Sequence, residues 1–478
     1  MRKTRCNRQA SVLQHVQLFG FLAFLFVGGL GLLAQDKVRR HQDPELEASD
    51  ARLEDEQIEL AQDIPKRTPP IIEWGDKLLG QGPINPGIPL GTGAVLQPSL
   101  WAFGVMRTAY QTVERPDGTH SQWVNRLNLF GNFKLTGTDR IVVGMRPLDE
   151  KGVFSGRQYD NGGNPGNDWI DGANADIRTL YFEGDLSELF PDSGDGGEQP
   201  HHIGIVLGRQ PLAVQQGILI NDTIDAIGLA RTNIPLKGTS NFRISGLFAW
   251  DEVNRNNHVE DNDAWMLAFF SEADTYRRTI NFDAVYIGSD SETHGSGLFL
   301  AASHFRPIYR YNSTVRVAYS KAMDEESGAV ADGFVLFNEL SWHLGDRSDI
   351  LYFNSFYGID RFTSAARAPG TGGPLGKTGL LFASPGMGFY PAPLGNSAED
   401  SLGSSFGYQY FPQTGRQLVM EVGARTQTEG SSNTQWGALF RFQQALTRRL
   451  VVQVDGFYAD VEGQDSGWGS RLELFLKL

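Results

Sequence analysis

Thr434-Gln-Trp-Gly-Ala-Leu-Phe-Arg-Phe-Gln-Gln-Ala445 puts Trp436, Ala438, Phe440 and Phe442 on one side and Gln435, Gly437, Arg441 and Gln443 on the other. The period is two, which a strand produces and a helix does not. The pattern recurs on either side of this stretch. Arg416–Thr428 sets Leu418, Met420, Val422 and Ala424 against Gln417, Glu421, Gly423, Arg425 and Gln427. Arg449–Val461 sets Leu450, Val452, Val454 and Tyr458 against Gln453 and Asp455. Ser466–Leu478 sets Trp468, Leu472, Leu474, Leu476 and Leu478 against Gly469, Arg471, Glu473 and Lys477.

These segments are about twice the usual length of 5–6 residues for a strand in a soluble sheet. Their apolar faces carry Trp436, Tyr458 and Trp468 near the ends. Strands of roughly 9–11 residues, apolar outward, polar inward and girdled by aromatics, are what a lipid-spanning β-barrel needs. Lipid satisfies no backbone N–H or C=O, so every strand must pair on both edges and the sheet must close. The fold expected is all-β: a single-chain antiparallel transmembrane β-barrel over residues 98–478.

Moving towards the N-terminus, the candidate strands are Leu100–Val113, Gln122–Leu135, Arg140–Arg146, Ile177–Gly184, His202–Gln210, Thr223–Arg231, Asn241–Asp251 and Asp263–Phe270. Thr279–Ser289, Ser296–Phe305, Thr314–Lys321, Gly333–His343, Asp349–Gly358 and Ser404–Phe411 precede the last four. The count is about 18, with 16 as the alternative; both are even, as single-chain bacterial barrels require. A barrel that wide is expected to enclose an aqueous lumen. Two connections, 150–175 and 363–403, are too long for turns and belong on the extracellular side, where either can fold inward or stay outside.

Composition agrees. The 478 residues include 56 Gly, 30 Phe, 14 Tyr and 9 Trp, with 21% charged. So many aromatics exclude bulk disorder, and the glycines follow no collagen period. A helical membrane protein is excluded too, because only one long apolar run exists, Val16–Ala34. It follows Arg2, Lys3, Arg5 and Arg8 and precedes a charged block from Asp36, the layout of a secretory signal peptide over 1–34. Leu32 fits the −3 position poorly, which leaves an uncleaved anchor as the alternative. The sole cysteine, Cys6, lies in that leader, so the mature chain has neither disulfide nor thiol chemistry. Taking the four leader cations from the 42 Lys and Arg leaves 38 against 56 Asp and Glu, a formal charge of −18. That balance argues against nucleic acid as a partner. Residues 35–97 are expected to be a periplasmic tail and linker, largely disordered, with Asp43–Leu60 charged and glycine-free.

Few motifs carry chemistry. Asp160, Asn164, Asp168 and Asp171 supply oxygens, but not at the spacing of a calcium loop. Glu339, Ser341 and His343 share a strand face, yet i, i+2 neighbours stand about 6.7 Å apart, and no G-x-S-x-G elbow is present. His201 and His202 open a strand with no further ligand near. We read no catalytic, metal or cofactor site. The expected lumen wall carries Arg126, Lys134, Arg209, Arg243, Arg316, Arg425, Arg441 and Arg471. Interleaved with them are Asp251, Asp283, Glu421, Asp455 and Glu473. A cation ring selects anions when unpaired, and a mixed ladder merely stiffens the wall.

Gly208-Arg209-Gln210-Pro-Leu and the following Gly217-Ile-Leu-Ile-Asn-Asp resemble outer-membrane porins of the alginate-export type. The resemblance implies a monomeric barrel of 18 strands in the outer membrane, passing small polar or anionic solutes or a polyanionic sugar. The function expected is passive diffusion of such solutes, with outer-membrane lipid as the surrounding partner. The competing reading is a barrel used as a scaffold or adhesin, or as a sheath for a periplasmic partner.

Overall fold

A computed structural model describes residues 68–78, 86–115, 118–160, 168–189, 203–291, 293–345, 348–430, 433–463 and 466–478. The leader, the tail through residue 67, Asn164 and the His201–His202 pair lie outside them.

The barrel opens with β1 (Ser99–Arg115), β2 (Gly118–Lys134), β3 (Arg140–Met145), β4 (Ile177–Asp185), β5 (Ile203–Val214) and β6 (Ile220–Arg231). It continues through β7 (Asn241–Asp251), β8 (Ala264–Thr275), β9 (Arg278–Ser289), β10 (Gly297–Ile308), β11 (Tyr311–Ala322) and β12 (Gly333–His343). It ends with β13 (Ile350–Arg361), β14 (Glu399–Gln413), β15 (Arg416–Gln427), β16 (Gln435–Ala445), β17 (Leu450–Val461) and β18 (Gly467–Lys477). Each pairs antiparallel with the next, and β18 returns to β1 from Gly469↔Val113 to Lys477↔Val105. The result is a closed barrel of 18 strands. Every candidate segment forms a strand.

Connections differ sharply between the two ends. One end is closed by tight hairpins such as 276–277, 309–310 and 414–415, and it also holds the start of β1 and the end of β18. The other end carries the long connections 146–176, 252–263 and 362–398. Within the first of these, Gly156–Asp160 pairs with His120–Val124 of β2 and so extends the wall above the short β3. Residues 72–74, inside the segment read as tail, are ordered. They pair with Leu100–Ala102 of β1, just beyond the reach of β18.

Facing follows the alternation. Trp436, Phe440, Leu472 and Leu474 are exposed on the outside, while Gln453, Asp455, Arg471 and Glu473 are buried inside. Leu229, Phe248, Leu267, Phe269 and Phe282 continue the outward apolar band around the barrel. So large an uncovered apolar surface is stable only against lipid. Aromatic pairs sit along this band, Trp436 with Tyr458 at 5.6 Å and Trp265 with Tyr286 at 5.4 Å between ring centroids.

The interior departs from a uniformly aqueous lumen. Towards the long-loop end, β6–β13 turn Ile224, Met266, Val285, Ile287, Phe299, Val335, Phe337 and Phe356 inward, all buried. The connection 362–398 folds into the barrel and packs Leu375, Leu381, Phe382, Tyr390 and Leu394 into the same cluster. Half of the lumen is therefore a packed core.

Candidate functional site: the lumen and its inward loop

The other half of the lumen, towards the short turns, is open. A cavity of about 1220 Å³ is lined there by Arg243, Ser245, Glu272, Asn281, Asp283, Thr314, Arg316 and Glu339 from the wall. Gln215, Lys377 and Leu380 reach it from the two inward-folded connections. The wall residues come from alternate positions of β7–β12, the parity that sequence alternation assigns to the inside.

Polar side chains of the wall hold the inward loop at several points. The Glu421 carboxylate accepts from Leu380 N at 2.9 Å, from Leu381 N at 2.8 Å and from the Tyr352 hydroxyl. Arg126 donates to Gly386 O at 2.9 Å, and Arg425 donates to Gly395 O. Phe389 N donates to Gln122 Oε1 at 3.2 Å, and Gly395 N donates to Gln435 Oε1 at 2.9 Å. Ala366–Arg367 adds a short parallel pairing with Ile220–Asn221 of β6. Buried Arg367 donates to Gly217 O at 2.6 Å and Gly372 O at 2.8 Å. Burial pulls its guanidinium down to about 10, and Asp222 offsets only part of that. These contacts hold the loop because a peptide inside a barrel must find partners for its own amides.

The tip shows how closely the loop sits. Gly388 has φ +64, and a Cβ there would lie 2.3 Å from both Gln111 Nε2 and Gln122 Oε1. Gly388→Ala is expected to cost about 1–3 kcal/mol in loop docking through left-handed strain and this clash. Limited proteolysis checks it, as faster cleavage within 362–398 with the barrel uncut.

The sequence-derived wall residues now divide. Arg441 and Asp455 pair across β16 and β17 at 2.7 Å. Arg471 and Glu473 pair along β18 at 2.5 Å, and Arg107 of β1 joins Glu473 at 2.6 Å. Arg243 pairs with Glu272 at 3.1 Å and Arg316 with Glu339 at 2.9 Å. Gln215 bridges the cavity wall, donating to Asp283 at 2.7 Å and accepting from Arg316 at 3.3 Å. Arg126 stands 3.7 Å from Asp149. Lys134 lies at the short-turn end, 3.9 Å from Asp76.

Two expected wall residues are not on the inner face. Arg209 pairs in register with Leu180 and Asp225 and shares the parity of outward Leu207 and Ile227. It is held by Asp225 and Glu252, each at 2.9 Å, near the long-loop end. Asp251 faces Asp225 across a register shift that takes it out of the inward row of Leu247 and Ala249. A bulge reverses parity locally, and no alternation count reveals it.

Sequence reading missed Lys377, Arg107 and Tyr352. Lys377 enters on the loop, and its charge has no carboxylate oxygen within 4 Å among the described residues; the same holds for Arg425. The face shared by Glu339, Ser341 and His343 is real, but Glu339 is engaged by Arg316. Among the described residues no group of three or more His, Cys, Asp or Glu converges as metal ligands do.

No protein-family model matches the chain, and no curated protein matches it. Solved structures do resemble it. A BenF-like porin from Pseudomonas fluorescens Pf-5 is 10% identical, with TM-score 0.54, covering 79% of this chain and 98% of that one. Pseudomonas aeruginosa OpdK with vanillate is 11% identical over the same shares, with TM-score 0.53. Pseudomonas aeruginosa OccK2 (OpdF) in complex with glucuronate is 10% identical over the same shares, with TM-score 0.53. At these identities the likeness is one of fold: the chain shares the porin barrel.

Proposed function

We propose that this protein is an outer-membrane porin through which small anionic solutes, carboxylates foremost, diffuse passively. The observation that carries the reading is the lumen itself, an open cavity of about 1220 Å³ narrowed by a pinned inward loop. Around that loop, Arg107, Arg126, Arg425, Arg441 and Arg471 meet fewer carboxylates, and Arg425 and Lys377 keep unmatched charge. A cation left unpaired in a narrow passage attracts anions even when the whole chain is acidic, because distant loop charges are screened over roughly 8 Å. Vanillate and glucuronate, named with two barrels of the same fold, are carboxylates of fitting size. The Gly208-Arg209-Gln210 resemblance to alginate-export-type porins supports a sugar acid as the alternative cargo.

The short-turn end is then periplasmic and the long loops extracellular, as in bacterial barrels generally. Residues 1–34 act as the export signal, 35–97 as a periplasmic tail that meets the wall at 72–74, and the barrel works as a monomer. Purified protein in a planar bilayer should conduct unaided, with a reversal potential favouring anions under a salt gradient. Lys377→Gln with Arg425→Gln should lower that preference several-fold, most strongly at low salt. A silent bilayer returns the reading to a scaffold or sheath.

A further inference from the structure

We infer that the outward rim around the hairpins 276–277 and 309–310 is a binding site for the phosphate of anionic phospholipid headgroups. The inference needs the apolar band to face lipid; it does not depend on which solute passes. β8–β9 and β10–β11 are neighbouring hairpins, and both close on Tyr-Arg, as Tyr276-Arg277 and Tyr309-Arg310. Two-residue hairpins favour Asn-Gly, because the turn needs positive φ. Tyr309 nevertheless takes φ 57, a strained value for a bulky side chain. Nothing inside the protein compensates, since Tyr276 and Tyr309 are 88% and 89% exposed. Each ring instead carries its neighbour's guanidinium, Arg277 at 5.2 Å and Arg310 at 5.7 Å from the centroid.

Two more arginines stand beside them. Arg278 and Arg306 each lie one residue beyond the register pair Thr279↔Phe305, and both are exposed. They end the outward rows that run through Ile280 and Phe282 on β9 and His304 on β10, at the edge of the apolar band. Like charges set side by side across strands destabilise a sheet unless an anion joins them. Among the described residues no carboxylate oxygen lies within 4 Å of any of the four. Guanidinium forks at headgroup depth, flanked by amphipathic tyrosines, suit a lipid phosphate. None of the four lines the lumen cavity, so solute passage does not explain them.

The test uses the full-length protein in mild detergent at low salt, titrated with phosphatidylglycerol or phosphatidylcholine and read by native mass spectrometry. Wild type should retain phosphatidylglycerol in preference to phosphatidylcholine. The quadruple variant Arg277→Gln, Arg278→Gln, Arg306→Gln, Arg310→Gln should lose that preference by roughly tenfold or more, given the contribution of each basic residue at an anionic surface. Arg448→Gln with Arg449→Gln, elsewhere on the same rim, should keep it. Undiminished retention in the quadruple variant, or an equal loss in both variants, overturns the site. Displacement of the lipid by equimolar inorganic phosphate assigns a soluble anion and overturns the lipid. Loss of co-sedimentation with purified sacculi, with lipid preference intact, assigns the cell wall instead. Heat-modifiable migration on gels reports folding, and Arg278→Gln with Arg306→Gln carries the same test should the quadruple variant not fold.

Discussion

Glu421→Ala should raise single-channel conductance several-fold while the barrel stays folded. The carboxylate accepts from two loop amides and the Tyr352 hydroxyl, all on the inner side of the wall. Its removal leaves three buried donors without an acceptor, each costing about 1–3 kcal/mol. Undocking the loop lets those donors find water, so the strain is relieved as the loop leaves the passage it narrows. The opposing term is apolar: Leu381 and Phe382 are fully buried, and Phe382→Ala alone is expected to weaken docking by about 3–5 kcal/mol. The two changes together should give the widest pore. Planar-bilayer recording decides the matter, and unchanged conductance in the double variant would mean that the loop does not set the width of the passage.

The second large effect is on stability. Leu472 is 49% exposed on the outer face, midway along β18, with Tyr110 and Val454 beside it in register. Leu472→Arg should cost about 2–4 kcal/mol in a lipid bilayer, the usual price of a guanidinium near mid-depth. Ser245→Arg faces the open cavity and should change stability by less than about 0.5 kcal/mol. Reversible urea unfolding in vesicles measures both. Equal costs would contradict the facing of the two strands.

Strand positions were legible because the lipid-facing and lumen-facing rows of β15–β18 differ in polarity at most steps, with Val419, Leu439 and Phe457 as apolar exceptions on the inner row. The packed half of the lumen left a fainter trace. Trp265-Met-Leu-Ala-Phe-Phe270 and Leu298-Phe-Leu-Ala-Ala302 are apolar on both parities, the mark of a strand covered on two sides. Reading those runs as ordinary alternation hid the surface that receives the inward loop. Side-chain partners were harder still. Arg441 meets Asp455 only because the 446–449 turn fixes the register, and Arg126 meets Gly386 at 260 positions' separation. Nothing in either local sequence encodes such a meeting. Asp251 failed for a different reason, since a single bulge inverts the count beyond it, whereas Arg209 lies in unbroken register on the parity of outward Leu207.

The seam between β18 and β1 also bears on how the molecule is made. Arg107 and Glu473, which meet across it, are 366 positions apart. Bringing so distant a pair together costs on the order of 5 kcal/mol in chain entropy, recovered only once the facing strands zip. Closure must therefore wait for the last strand to emerge, and until then two long edges of unpaired amides stand open. Each is a template for a strand of another chain. Closing is first order in chain and mispairing second order, so the yield of intact barrels should fall as chains refold at higher concentration. Residues 72–74, already laid along Leu100–Ala102, shorten one of those edges before the rest can shut.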